Sequence, residues 1–174
     1  MPTTSFEDLA LPLFDQLYNF ARWLTQDTSE AEDLVQETYA KALRGFSSFQ
    51  AGTNFRAWMY RILKNSFLSS RTALKTTVAF DEEDLENVPA GKAATPEAVV
   101  IEQSNREVVQ RALEELPVHF REILLLCEVE EMSYQEISEA LSIPVGTVMS
   151  RLFRARRALR SLLQKILQGG RHGV

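Results

Sequence analysis

The sequence has little of what most catalytic sites require. Its one cysteine, Cys127, has no partner for an intramolecular disulfide and follows an apolar run typical of a buried helix. Two histidines, His119 and His172, stand alone without the spacing of metal ligands. No glycine-rich phosphate loop, signal peptide or membrane-length apolar run is present. We therefore expect a cytoplasmic binding protein without a catalytic site, metal, cofactor, small-molecule substrate or membrane insertion.

Charge is unevenly distributed along the chain. The net charge is −5, so composition alone would not indicate a nucleic-acid-binding protein. Two blocks nevertheless contain basic residues and no Asp or Glu, namely Ala51 to Lys75 and Ser142 to Val174. Two basic patches in an acidic chain predict two nucleic-acid contacts, while the acidic remainder limits indiscriminate binding or faces a protein.

The segment from Ser133 to Leu163 predicts two helices around a short turn. Ser133 and Glu136 form the capping-box pattern that begins a helix, and Pro144 suits the first turn of the next one. Apolar residues at steps of four, three and four then predict a stripe that packs on the first helix. That stripe consists of Val148, Leu152, Ala155 and Leu159. The pattern is typical of a DNA-binding helix-turn-helix.

The opposite face of the second helix carries side chains suited to reading DNA. At 3.6 residues per turn, the face and its flanks comprise Thr147, Met149, Ser150, Arg151, Phe153, Arg154 and Arg157. Ser can hydrogen-bond base edges, Phe can contact a thymine methyl, and Arg can bind guanine or phosphates. The alternative is an ordinary amphipathic helix with a solvated arginine face, which the preceding turn disfavours.

Helical periodicity also dominates the first 75 residues. It predicts helices from Phe6 to about Thr25, Ser29 to about Phe46, and Asn54 to about Thr72, with no strand. Segment 76–95 lacks this periodicity and contains an acidic run, which indicates a solvated linker rather than a calcium loop. The predicted fold is all-α, with two small helical domains, 1–75 and 96–174, joined by a flexible acidic linker, 76–95. The second domain contains the helix-turn-helix, at about 133–163.

Asp33, Gln36 and Glu37 form one polar stripe on the second predicted helix. Such a stripe either meets water or docks a protein, and the residues alone leave both open.

The third predicted helix mixes aromatic and cationic side chains. Tyr60, Arg61 and Lys64 are predicted to point away from the core, with Trp58 and Asn65 at its margins. Unstacked bases can stack on such rings while cations follow the nucleic-acid backbone. The alternative is that Trp58 and Tyr60 are partly buried packing residues.

Three segments together resemble the extracytoplasmic-function sigma factors of bacterial RNA polymerase. They are AEDLVQETYAKAL from Ala31, NFRAWMYRILKN from Asn54, and LPVHFREILLLCEVEEMSYQEISEALSIPVGTVMSRLFRARRAL from Leu116. The resemblance covers nearly the whole chain, in order. It implies a bacterial cytoplasmic sigma factor that directs core RNA polymerase to promoters, and an anti-sigma factor as a further partner.

The resemblance also implies roles for particular residues. Core polymerase would dock on Asp33, Leu34, Gln36 and Glu37. The −10 promoter element would contact Phe49, Asn54, Arg56, Tyr60, Arg61, Lys64 and Asn65, with Phe49 to Asn54 as the loop that captures a flipped base. The −35 element would contact the helix-turn-helix face, above all Met149, Ser150, Phe153 and Arg154. Many relatives have Arg or Lys where this chain has Met149.

Two other function classes fit the residue pattern taken by itself. A stand-alone regulator would dimerise on a palindromic operator and bind DNA without polymerase. A helical adaptor without DNA contact would show no salt-dependent affinity for duplexes. A sigma factor differs from both, because it should bind a promoter tightly only when polymerase holds both domains on it at once.

Overall fold

The computed structural model describes residues 3–74 and 106–169, and every regular element in these two ranges is helical. The first range contains α1 (Phe6–Ala10), a 3-10 turn (Leu11–Leu13), α2 (Phe14–Thr25), α3 (Thr28–Gly45), a second 3-10 turn (Phe46–Ser48) and α4 (Phe55–Leu74). The second contains α5 (Arg106–Glu115), α6 (Val118–Leu124) continued by a π-helical turn (Leu125–Val129), α7 (Tyr134–Leu141) and α8 (Val145–Gly169). The all-α prediction is confirmed, whereas the predicted linker lies outside the described residues.

Local capping determines where the N-terminal helices begin and end. Ser5 and Asp8 form a capping box at the start of α1. Pro12 lies in the 3-10 turn, so the single helix predicted from Phe6 to Thr25 is divided into α1 and α2. Gln26 ends α2 in the left-handed conformation, with φ of 58°, and the Asp27 side chain then caps α3 by accepting from the Glu30 amide at 2.9 Å.

The predicted apolar stripes form the N-terminal core. Leu17, Phe20 and Leu24 of α2 are buried, as are Ala31 and Val35 of α3. The same core receives Met59, Leu63 and Phe67 from α4. These stripes fix which faces of α3 and α4 remain available for partners.

The helix-turn-helix forms as its sequence predicts. Ser133 and Glu136 make the expected capping box at the start of α7. Ser142 ends that helix with φ of 56°, and the Ser138 hydroxyl donates to the Ile143 carbonyl at 2.5 Å across the turn. Pro144 precedes α8 rather than lying inside it, and its carbonyl accepts the Val148 amide at 3.0 Å.

The N-terminal helices (residues 3–74) and the C-terminal helices (residues 106–169) pack directly against each other. The main contact joins α4 to α7, and buried residues from both groups belong to one hydrophobic cluster. None of the described helices combines the length and apolarity that a membrane crossing needs.

Candidate nucleic-acid and protein interfaces

The face of α8 predicted to read DNA is turned to solvent. Met149 is 55% exposed and Phe153 is 63% exposed, although both are large apolar side chains. Ser150, Arg154 and Arg157 are also exposed. The remaining two predicted contacts, Thr147 and Arg151, are half-buried.

The opposite face of α8 explains this exposure. Val148, Leu152 and Ala155 are fully or almost fully buried, so the apolar stripe anchors the helix and fixes the direction of the polar face. A Cβ built at Gly146 would meet no heavy atom within 4 Å, which leaves the first turn of α8 open. A recognition helix held in this way can enter a major groove without repacking its own domain.

Not every arginine of the basic C-terminal block is available to a ligand. The Arg156 guanidinium pairs with the Glu128 carboxylate at 2.9 Å and lies 3.6 Å from the Cys127 sulfur. Burial raises the pKa of the Cys127 thiol, and the nearby Glu128 acts in the same direction. The thiol is therefore not activated as a nucleophile, as expected for a packing residue.

The loop that precedes α4 lies over an aromatic cluster. Phe49 is half-buried, with its ring centroid 5.1 Å from that of Trp58 and 5.3 Å from that of Phe55. Gly52 turns the loop with φ of 92°, a conformation that other residues rarely adopt. Asn54 caps α4, because its side-chain oxygen accepts the Ala57 amide at 3.0 Å.

Four of the seven residues predicted to contact the −10 element face the C-terminal helices instead of solvent. Tyr60 is only 1% exposed, so the prediction that it points away from the core is wrong. Lys64 is half-buried, and its ammonium donates to the Leu141 carbonyl at 2.9 Å. Arg61 is exposed, as the helical pattern predicts, and Asn65, predicted at the margin of the core, is exposed as well.

The other two covered residues contact acidic side chains. The Asn54 amide donates to Glu136 Oε2 at 3.1 Å. Arg56 donates to the backbone carbonyl of Glu130 and lies 3.8 Å from its carboxylate. Burial opposes ionisation of Glu136, but hydrogen bonds from Asn54 and Ser133 outweigh it and lower the pKa of that carboxyl.

The polar stripe on α3 is an open surface. Asp33, Gln36 and Glu37 are all exposed, and Glu37 pairs with Lys41 at 2.9 Å one turn along the helix. Leu34 is 5% exposed and belongs to the core, so placing it on the docking surface was wrong. Its position on the apolar stripe of α3 already indicated burial.

Sequence reasoning missed two buried ionisable residues, Arg121 and Glu122, where the N-terminal and C-terminal helices meet. Arg121 is 5% exposed and donates hydrogen bonds to backbone carbonyls of both groups. Burial raises the pKa of the neighbouring Glu122 to about 7, while Lys64 and Arg151 act in the opposite direction. The sequence signal for this site is the pair of adjacent charged residues inside an apolar helical segment. Charged side chains in such a segment are rarely buried without partners, so the pair indicates a buried polar contact.

Two family models match the chain. The model described as Sigma-70 region 2 matches residues 12–76, and the model described as Sigma-70, region 4 matches residues 106–159. The first match contains the α3 stripe and the aromatic and basic face of α4. The second contains the helix-turn-helix up to residue 159.

Curated relatives match over most of the chain. The ECF RNA polymerase sigma factor SigE of Mycolicibacterium smegmatis is 36% identical over 162 residues, which is 92% of this chain and 62% of that relative. The chain thus spans less than two thirds of the mycobacterial protein's length. The ECF RNA polymerase sigma-E factor of Escherichia coli K12 is 33% identical over 148 residues, which is 81% of this chain and 78% of the relative.

Solved structures share the fold. The sigma factor RpoE from Bartonella quintana, in complex with the anti-sigma factor NepR, aligns with a TM-score of 0.70 at 26% identity, covering 93% of this chain and 98% of that one. CnrH, in complex with the cytosolic domain of CnrY, aligns with a TM-score of 0.66 at 25% identity, covering 92% and 88%.

Proposed function

The chain belongs to the ECF RNA polymerase sigma factors, and on that premise we propose that it binds core RNA polymerase, directs it to a set of promoters and helps open the duplex there. The polymerase supplies the catalysis, and this chain supplies promoter specificity. The single observation that carries the proposal is the exposed face of α8, where Ser150, Phe153 and Arg154 lie opposite a fully packed stripe.

Each domain has its own role in the proposal. Residues 1–75 dock on core polymerase and bind the −10 element, and residues 96–174 bind the −35 element. The acidic segment between them, 76–95, joins the two. Cytoplasmic location follows from this function, because core polymerase and promoters are there.

Recognition of the −35 element is assigned to the exposed face of α8. Arg154 and Arg157 are exposed cations that can bind guanine edges or phosphates, and Ser150 can hydrogen-bond a base edge. Phe153 supplies apolar contact to a thymine methyl. Met149 supplies a second apolar contact. We therefore expect the base position of the −35 element that faces Met149 to tolerate thymine better than guanine.

Opening of the −10 element is assigned to α4 and its preceding loop. Flipping a base costs a few kcal/mol, and stacking it on an aromatic ring returns about 1–3 kcal/mol. Phe49 and Trp58 form the aromatic surface beside the loop, and exposed Arg61 offers a cation to the strand. Binding energy therefore drives strand separation without a chemical step.

An anti-sigma factor is the proposed regulatory partner. The Bartonella quintana sigma factor was solved with the anti-sigma factor NepR, and this chain shares its fold over nearly its whole length. Exposed Leu11, Phe14 and Leu43 give the N-terminal helices apolar surface that such a partner could cover.

Replacing Arg154 with alanine tests the proposal. We expect promoter-specific initiation to fall roughly tenfold, because one good base contact contributes about 1–3 kcal/mol and 1.4 kcal/mol is a factor of ten. Affinity for core polymerase should not change. Run-off transcription and a polymerase-binding titration measure the two effects.

The matched control is Arg111→Ala, which removes an exposed arginine from α5 in the same domain. It should leave initiation unchanged. Equal activity of Arg154→Ala and Arg111→Ala would remove the assigned role of Arg154.

A further inference from the structure

One arginine of α8 is held by a glutamate from the helical segment that precedes the helix-turn-helix. The Arg156 guanidinium donates to Glu128 Oε1 from Nη2, at 2.9 Å, and from Nε, at 3.3 Å. Glu128 lies in the π-helical turn that continues α6. The same Nη2 atom lies 3.6 Å from the Cys127 sulfur. The guanidinium is thus placed against the π-helical turn by two consecutive residues.

This pairing distinguishes Arg156 from the arginines assigned to DNA. The hydrogen bond to Glu128 raises the pKa of the Arg156 guanidinium, and a hydrogen bond to Tyr134, at the start of α7, acts in the same direction. Arg154 and Arg157 form no ion pair with any residue in 3–74 or 106–169. Two exposed arginines of α8 therefore keep their charge available to a ligand, whereas Arg156 does not.

Arg156 nevertheless lies beside the face of α8 that is assigned to DNA. It follows Met149 by seven residues and Phe153 by three, and residues at these spacings share one side of a helix. Both of those side chains are exposed. Arginine side chains beside a helix that enters the major groove commonly bind the phosphates along it. An unpaired Arg156 would therefore be placed to bind the DNA backbone.

The ion pair affects the electrostatics of this surface more than the stability of the fold. The side chains of Arg156 and Glu128 are 42% and 58% exposed, and exposed ion pairs contribute little to stability. A phosphate contact, by contrast, increases affinity for every DNA sequence and distinguishes none of them. Glu128 prevents such a contact by holding Arg156, and its own carboxylate repels phosphates.

We propose that Glu128 is a specificity-determining residue, which withholds Arg156 from DNA and thereby lowers the sequence-independent affinity of α8. The inference rests on the proposed function, because it concerns the face assigned to the −35 element. Ser150, Phe153 and Arg154 read bases, while the many non-specific sites that compete for the chain bind it less tightly. Promoter binding then depends more strongly on polymerase, which holds both domains on the promoter at once.

The salt dependence of DNA binding measures how many phosphates the chain contacts. The full chain is titrated against a fluorescently labelled duplex that lacks a promoter, at several salt concentrations, and anisotropy reports binding. Glu128→Gln should bind roughly threefold to tenfold more tightly at about 0.1 M salt. Its plot of log affinity against log salt concentration should steepen by about 0.9, the value for one added phosphate contact. Circular dichroism establishes that each variant is folded.

Arg156→Ala distinguishes the release of an arginine from the mere loss of a negative charge. By itself it should leave the salt slope unchanged, because Arg156 contacts Glu128 instead of DNA. Combined with Glu128→Gln, it should return the slope to that of the unmodified chain. The matched charge control is Glu139→Gln, which removes one carboxylate from an exposed position on α7. It should leave the slope unchanged.

An unchanged slope in Glu128→Gln overturns the inference, and so does a shallower slope in Arg156→Ala, which would mean that Arg156 already contacts DNA. Arg154→Ala/Arg157→Ala separates this failure from failure of the proposed function. Removing both cations should weaken duplex binding and make the slope shallower. If it does so while Glu128→Gln behaves as the unmodified chain, only the inference fails. If the double arginine variant also binds as the unmodified chain does, the α8 face does not bind DNA, and its proposed −35 role fails as well.

Discussion

Reversing the charges of Asp33 and Glu37 is expected to weaken the complex with core polymerase about thirtyfold or more. Both carboxylates are exposed on one face of α3, above a fully buried stripe that keeps the helix in place. Truncating one member of a buried interfacial charge pair costs about 2–5 kcal/mol, and reversal also adds repulsion. Fluorescence titration of labelled Asp33→Lys/Glu37→Lys with core polymerase measures the effect.

The control for this change is Glu107→Lys/Glu115→Lys. It alters the net charge equally, at exposed positions of α5 that have no part in the proposed docking surface. We expect its affinity to stay within about twofold of the unmodified chain. If the α3 variant binds as tightly as this control, the docking surface has been assigned to the wrong helix face.

Replacing Arg121 with methionine is expected to lower the free energy of unfolding by about 3–5 kcal/mol. The guanidinium is 5% exposed and donates to five backbone carbonyls. These belong to Leu113, Glu114 and Leu116 in its own domain and to Trp23 and Leu24 of α2. Methionine fills similar volume but leaves the carbonyls without these donors, and each buried group without a partner is destabilising.

Urea denaturation followed by far-ultraviolet circular dichroism measures this loss. Arg121→Lys should be intermediate, because one ammonium cannot satisfy the carbonyls that a planar guanidinium reaches. Arg111→Met, on the exposed face of α5, should change stability by less than about 0.5 kcal/mol. A loss below about 1 kcal/mol for Arg121→Met would show that the buried guanidinium is not an anchor of the fold.

The parts of this fold that the sequence predicts are those governed by short-range spacing. The capping box of Ser133 and Glu136 involves residues three apart, and the stripe of Val148, Leu152 and Ala155 follows the helical repeat. The exposed face of α8 follows from that stripe by geometry. Such features do not depend on the position of any other helix.

The mistaken predictions concern residues whose surroundings come from distant parts of the chain. Tyr60 packs edge-on against Phe20 of α2, with its hydroxyl near Glu130, and Lys64 donates to the Leu141 carbonyl at the end of α7. Nothing in the helical pattern of α4 specifies its contact with residues about eighty positions further along. Arg156 belongs to the basic block from Ser142 to Val174, yet its guanidinium pairs with Glu128 of the π-helical turn at 2.9 Å.

Glu136 makes both a local contact and a long-range contact, and the sequence motif predicts only the local one. Glu136 was predicted as the acid of a capping box, and it is one. The same carboxylate also receives the Asn54 amide from the other domain. Its second oxygen atom is free for this contact because the first one binds the Ser133 backbone. The sequence signature of a local motif thus gave no sign of the long-range contact.

The affinity of the labelled full chain for bacterial core RNA polymerase, followed in the same tubes by promoter-dependent initiation, tests the central claim most directly. We predict tight binding and new transcripts that neither component produces alone, because the polymerase supplies catalysis and this chain supplies promoter recognition. A folded chain that binds an operator duplex by itself but does not bind core polymerase would contradict the account and indicate a stand-alone regulator.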